Sequence, residues 1–207
     1  MQKSTIAFLL ISFFLASCAT NSVLQGYTKK VSDTKIFDVF YFSNPKTDYV
    51  YKANIRVCGD EFSGILIAKK LNDSTHRVVF TTEFGNKLMD FEISQDDFKV
   101  NSIVSELDRK MLLNTLKTDF GLLFKGRYLI QDEFENVQNI VFKSDAGNRY
   151  NYLFISKSEG KLLKIVRTSA RKEKINLSFT SANNFFAERI VIQHTNIPLR
   201  IELNYLK

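Results

Sequence analysis

From Tyr49 onward the apolar residues keep a period of two, and this pattern limits the fold more than any other feature of the chain. Ala53, Ile55 and Val57 alternate with Lys52, Asn54 and Arg56, and Met89, Phe91 and Ile93 alternate with Leu88, Asp90 and Glu92. Ile175, Leu177 and Phe179 alternate with Lys174, Asn176 and Ser178, and Ile201, Leu203 and Tyr205 with Arg200, Glu202 and Asn204. Successive side chains of a strand point to opposite faces, so each segment has one face to bury and one wetter face, as in antiparallel sheet. Turn formers separate the segments at Cys58-Gly59-Asp60, Asn72-Asp73-Ser74, Phe84-Gly85-Asn86, Asp145-Ala146-Gly147-Asn148, Ser158-Glu159-Gly160 and Asn183-Asn184. The reading gives about eleven strands, at 50–58, 62–70, 75–83, 86–94, 97–101, 138–143, 149–156, 161–168, 174–180, 188–195 and 199–206. No proline falls between residues 49 and 197, so no position there is barred from a central strand.

One stretch breaks the period. Val104, Leu107 and Met111, then Leu112, Leu116, Phe120 and Leu123, are spaced three or four residues apart within each run, as on a helical face. Ser105 with Asp108 has the form of a capping box, and Gly126 stands where a C-cap belongs. Gly121 is a candidate break, with Thr118-Asp119 opening a second short helix. A sheet with one apolar face must cover it. The expected architecture is therefore mainly β: a strongly curved antiparallel sheet forming an incomplete barrel, with the helical insertion as plug or lid. Leu112, Leu116, Phe120 and Leu123 would face the concavity. A closed lipocalin-like barrel is the alternative, although such barrels usually have fewer strands and no helix in the middle.

The N-terminus reads as an address. Lys3 precedes the apolar run Ile6 to Ala16, which fits a secretory h-region and is too short to span a bilayer. The run ends in Leu15-Ala16-Ser17-Cys18, which resembles a bacterial lipobox whose cysteine is acylated after cleavage. Residues 1–17 are then a lipoprotein signal peptide, 18–48 a lipidated tether and N-terminal segment with a short helix or edge strand, and 49–207 the folded domain. Ala19 follows Cys18 where an aspartate would, by resemblance to known sorting rules, favour retention in the inner membrane. The expected location is the outer membrane, lipid-anchored and facing the periplasm. Acyl chains bury about 0.8 kcal/mol per CH₂, so two or three of them hold a protein almost permanently.

The composition excludes several kinds of chemistry. With two cysteines and two histidines, the chain supports neither a disulfide framework nor a site rich in imidazole or thiolate. Nineteen phenylalanines and no tryptophan make it rich in purely apolar rings. None of G-x-S-x-G, H-E-x-x-H, C-x-x-C or G-x-x-x-x-G-K-[ST] occurs, so no catalytic activity and no cofactor is implied. His76 and His194 lie within strands and read as structural or surface residues, and Cys58 falls on the polar phase of its strand. The net charge is +7, but no basic run carries interleaved aromatics, and the cellular address argues against nucleic acid. Arg167 to Lys174 is the densest cationic cluster, expected in a loop between two strands. It is either a solvated hairpin tip or a contact for anionic head groups or an acidic partner.

Taken together, the lipobox, the strand count and the helical interruption resemble the outer-membrane lipoprotein receptors of the LolB family, whose fold is shared by the periplasmic carrier LolA. Phe62-Ser63-Gly64-Ile65-Leu66 looks like the family's early strand. Val78-Val79-Phe80-Thr81-Thr82-Glu83-Phe84-Gly85 looks like its apolar strand leading into a Pro-Leu-Gly turn. Here Glu83 stands for the proline and Phe84 for the leucine, which in the family protrudes and serves to insert cargo into the membrane. The family's tryptophans are absent. The C-terminal stretch from Ile197 to Leu203 falls in matching order. The resemblance implies a half-closed barrel that holds acyl chains or lipoprotein cargo in an apolar cavity. It further implies receipt of that cargo from a LolA-type periplasmic carrier and its delivery to the outer membrane. Phe84, with Glu83 and Gly85, would touch membrane or cargo. A lipoprotein of similar fold that binds another amphiphile, or scaffolds an envelope complex without transfer, is the alternative. If Cys18 is the acylated residue, Cys18→Ser should move the protein from the membrane fraction to the soluble periplasmic fraction. Undiminished membrane association on fractionation would refute the anchor.

Overall fold

The computed structural model describes residues 22–169 and 172–206; the expected signal peptide, 1–17, and the expected acylation site, Cys18, lie outside the described residues. A short 3-10 turn, Ser22–Leu24, precedes β1 (Thr28–Lys30), β2 (Ile36–Asp38), β3 (Asp48–Val57), β4 (Asp60–Lys70), β5 (His76–Thr81), β6 (Lys87–Ile93) and β7 (Phe98–Ile103). Then come helix α1 (Lys110–Leu123), β8 (Arg127–Leu129), β9 (Asp132–Glu135), β10 (Asn139–Asp145) and β11 (Arg149–Ser156). The described chain ends with β12 (Leu162–Ser169), β13 (Lys172–Thr180), β14 (Arg189–His194) and β15 (Leu199–Tyr205). Every expected strand is present with its ends within two residues of expectation. The additional strands β1, β2, β8 and β9 have only three or four residues, too few to show a period of two.

Thirteen strands form one sheet in the order β1-β9-β10-β11-β12-β13-β14-β15-β3-β4-β5-β6-β7, and β2 pairs with β8 in a separate ribbon. Each pairing is antiparallel. β1 and β7 do not meet, so the curved sheet stays open as an incomplete barrel. Consecutive strands pair almost throughout, except that β1 adds to the edge at β9 and β15 inserts between β14 and β3, with Ile201 opposite both Ile192 and Ile55. The loop Cys58-Gly59 between β3 and β4 takes positive φ at both residues, 52° and 97°, as the two-residue turns that match strand twist require. In β4, a Cβ on Gly64 would lie 1.9 Å from the Thr81 carbonyl oxygen, so only glycine lets β5 curl this closely over its neighbour.

α1 lies against the concave face. Its Leu112, Leu116, Phe120 and Leu123 are buried with Tyr51, Leu66, Phe80 and Phe91 of the sheet. The Phe91 and Phe120 rings stand 5.1 Å apart. The helix begins six residues later than the sequence pattern begins. Val104 instead donates its N–H to Leu88 O at 3.0 Å, and Leu107 closes a turn on Val104 O at 3.0 Å. The expected capping box is absent: the N-cap is Arg109 with extended backbone and no side-chain cap, and Ser105 Oγ bonds Glu106 instead. Gly121 does not split the helix, and the C-cap is Phe124, whose N–H reaches Phe120 O, so Gly126 plays no capping part. Packing of the apolar stripe, not terminal chemistry, sets where this helix sits.

The segment before β3 does more than link. Val39, Tyr41 and Phe42 enter the core. Phe42 adopts φ 61°, a costly backbone for a bulky residue, and is held there by Tyr49, Tyr51 and Phe124 at ring distances of 4.8, 5.9 and 5.0 Å. His76 packs flat on Phe124 at 4.5 Å, and its Nε2 lies 3.0 Å from Phe42 O, so the neutral ring donates its Nε2–H there. On the convex side Val23, Leu24 and Tyr27 cover a smaller apolar cluster of Val141, Tyr152, Phe154 and Val166.

Two outcomes follow from this packing. Leu116 is 1% exposed. Leu116→Ala should cost about 2–5 kcal/mol, and Leu116→Asp more, because a charge would be buried without a partner. An unchanged melting temperature for Leu116→Asp would show that α1 does not seal the concavity. Burial pushes the His76 pKa down. The unfolded chain therefore binds a proton before the folded chain does, and this contribution to stability is lost as pH falls below about 6.5. Denaturation between pH 7.5 and 5.5 should show a smaller loss of stability in His76→Asn than in the parent, and equal slopes would contradict it.

Candidate functional site at one end of the sheet

Antiparallel register gathers a set of chain segments at one end of the sheet. Leu199, which opens β15, pairs with Val57 at the end of β3, and Val57 pairs with Asp60 at the start of β4. Thr81, which ends β5, pairs with Ile65, and the 82–86 turn follows it. The starts of β11 and β13 and the ends of β12 and β14 fall at this same end. The N-terminus of α1 joins them, tied by Arg109 Nη2 to Asp60 Oδ2 at 3.3 Å.

The 82–86 turn carries the sequence-predicted contact residues. Gly85 N–H donates to Thr82 O at 3.0 Å and Thr82 N–H to Asn86 O at 2.8 Å. Gly85 takes φ 85°, the left-handed residue that a three-residue hairpin loop needs. With the backbone fixed, Phe84 projects outward and is 95% exposed. Its neighbour Glu83 pairs sideways with Lys52 at 3.0 Å, so no bare charge sits beside the ring. The structure does not bring Phe84 together with Leu112, Leu116, Phe120 and Leu123: the ring stands at the tip, and the leucines and Phe120 lie inside the sheet.

Between the open face of α1 and strands β11–β14 lies a cavity of about 340 Å³. Its lining is mixed: Met111 and Ile197 are apolar, while Arg149, Arg167, Lys174 and His194 are not. This departs from the wholly apolar cavity that the family resemblance implies, because α1 itself occupies the apolar part of the concavity. Arg149 and Asn151 share the strand phase of buried Leu153 and Ile155, and Arg167 shares that of Ile165. The cluster expected in a loop from Arg167 to Lys174 is thus mostly strand, and Arg167 is half-buried on the inner face. Arg167 Nε donates to Asn151 Oδ1 at 2.9 Å. Burial works against the Arg167 charge, and the neighbouring Arg149 adds to that effect.

Asp119 and His194 form a buried pair beside this cavity, His194 Nε2 lying 2.8 and 2.9 Å from the two carboxylate oxygens. Burial raises the Asp119 pKa, opposed by the bond to His194. The sequence reading placed Asp119 at a helix start; it lies instead within α1, facing the sheet. A visible signal for this end of the molecule existed: polar side chains on the apolar phase at strand ends. His76 is structural, stacked in the core, and Cys58 is exposed on its turn. Among the described residues no three His, Cys, Asp or Glu side chains converge as metal ligands, and no helix is long and apolar enough to cross a membrane.

No family model matches the chain, and no curated protein matches it. Solved structures do. A LolA superfamily protein from Nitrosomonas europaea superposes with a TM-score of 0.52 at 10% identity, covering 81% of this chain and 87% of its own. A DUF1329 family protein from Desulfovibrio piger gives 0.42 at 11%, covering 77% and 84%. An outer membrane lipoprotein-sorting protein domain, so described, from Vibrio parahaemolyticus gives 0.42 at 8%, covering 77% and 83%. At these identities the first superposition bears on fold alone. The chain has the LolA-like fold: an open, curved antiparallel sheet with a helix over its hollow.

Proposed function

We propose that the chain is a lipid-anchored envelope protein that binds acyl chains or lipoprotein cargo and helps deliver them to the outer membrane, without breaking a covalent bond. The observation that carries this reading is Phe84, an almost fully exposed aromatic ring on a rigid turn, on a LolA-like fold. Large apolar side chains gain nothing at a solvated hairpin tip. Burying such a ring in lipid or in a partner's cavity is worth about 2 kcal/mol, roughly thirtyfold in an equilibrium constant. The anchor is acylated Cys18, and the source of cargo is a LolA-type periplasmic carrier.

The cavity of about 340 Å³ is at the small end for ligand sites. Cargo chains therefore enter by displacing α1, so that Leu112, Leu116, Phe120 and Leu123 exchange sheet contacts for acyl contacts. The helix leaves the sheet at a modest cost because one apolar partner replaces another. Phe84→Glu should melt like the parent, since the ring touches no core residue, yet lose most transfer of cargo to membranes. A thermal melt paired with a transfer or complementation assay decides it: a variant that melts normally and transfers fully removes Phe84 from the site.

A further inference from the structure

We propose that the cavity between α1 and strands β11–β14 is a head-group site, in which Arg149, Arg167 and Lys174 hold the phosphate of an anionic amphiphile. This rests on the reading of the chain as an acyl-chain carrier and adds the chemical class of what it carries. The three cations come from three strands and converge on one cavity. Among the described residues none of them has a carboxylate within ion-pair distance, although many acids of the sheet are paired with other cations. Arg167 is spent on a single neutral acceptor, Asn151 Oδ1, so most of its donors remain for a ligand. Burial and the neighbouring Arg149 both work against the Arg167 charge, and a phosphate between the two guanidinium groups would favour it.

The acid nearest the cavity offsets this charge only in part. It is Asp119 on α1, and His194 takes both its carboxylate oxygens. Met111, Ile175 and Ile197 supply apolar surface in the same lining, so the site offers a cationic seat next to an apolar path. Met111 is 52% exposed at the mouth, free to contact the first methylenes of a chain. A wholly soluble anion would have no use for that surface, which is why an amphiphile fits the lining better than free phosphate.

The test uses the purified full chain and titration calorimetry with three probes: dihexanoyl phosphatidylglycerol, dihexanoyl phosphatidylcholine and inorganic phosphate. The anionic lipid should bind at least tenfold more tightly than the zwitterionic one, and the difference should shrink as salt rises. Arg149→Gln and Lys174→Gln, at exposed and half-buried strand ends, should each weaken the anionic lipid about tenfold and the zwitterionic lipid, whose phosphate is already offset by its choline, by much less. These variants are decisive even if Arg167→Gln fails to fold. Equal binding of the two lipids, unmoved by the variants, overturns the head-group site and leaves the carrier reading standing. Binding of inorganic phosphate with neither lipid bound overturns the amphiphile assignment and the carrier reading together. Binding of neither lipid nor phosphate does the same.

Discussion

A sheet that is apolar on one side and open at both edges has a hollow that water must not fill. Everything else in this chain follows from covering it. The concave side chains of thirteen strands present far more apolar surface than the sheet can hide by curling, and α1 is the element inserted to meet it. The contacts along that line, from Leu112 through Leu116 to Phe120 and Leu123, are dense and aromatic. At the far end, Phe42 accepts an unfavourable backbone to complete the seal beside Phe124 and His76. Curvature is the other half of the solution. Without Gly64 the Thr81 carbonyl could not approach β4, and the β5–β6 hairpin would stand away from the helix.

One cover serves two demands. A helix held mainly by apolar side chains is well suited to being exchanged for other apolar matter, because few directional contacts tie it down: the Asp119–His194 pair, the Tyr128 hydroxyl on Leu122 O and the Arg109–Asp60 contact. The absence of a side-chain cap at Arg109 fits the same logic: the helix has no strong local preference for where it starts. The polar and basic residues then collect where the helix leaves the sheet uncovered, between it and β11–β14.

The sequence made the long elements plain and the short ones obscure, for physical reasons. A strand such as β3 or β13 repeats its alternation four or five times, enough for the pattern to exclude a helix. A three-residue strand such as β1 or β8 exists only because a neighbour pairs with it, so no local signal predicts it. The helix was visible as a stripe, but its start was not: Val104 is apolar and correctly spaced, yet the β7 ladder claims its N–H first. Phe84 stood out because an aromatic residue sits where a turn former belongs. The basic cavity was half visible. Arg167 is visible as part of a charge run, whereas its meaning depends on strand phase and on Arg149, eighteen residues earlier and brought onto the neighbouring strand only by folding.

The position of β15 bears on how the chain assembles. The strand that joins the two halves of the sheet is the last of the described strands, and it docks between β14 and β3, a partner about 150 residues upstream. Until it arrives, β3–β7 and β9–β14 are separate half-sheets, each exposing a raw strand edge and part of the hollow. Such halves fold quickly as chains of local hairpins but stay adhesive until they are bridged. Slow release of the chain during synthesis therefore prolongs an aggregation-prone state, and any holdase that shields β3 and β14 acts at the step that commits the fold.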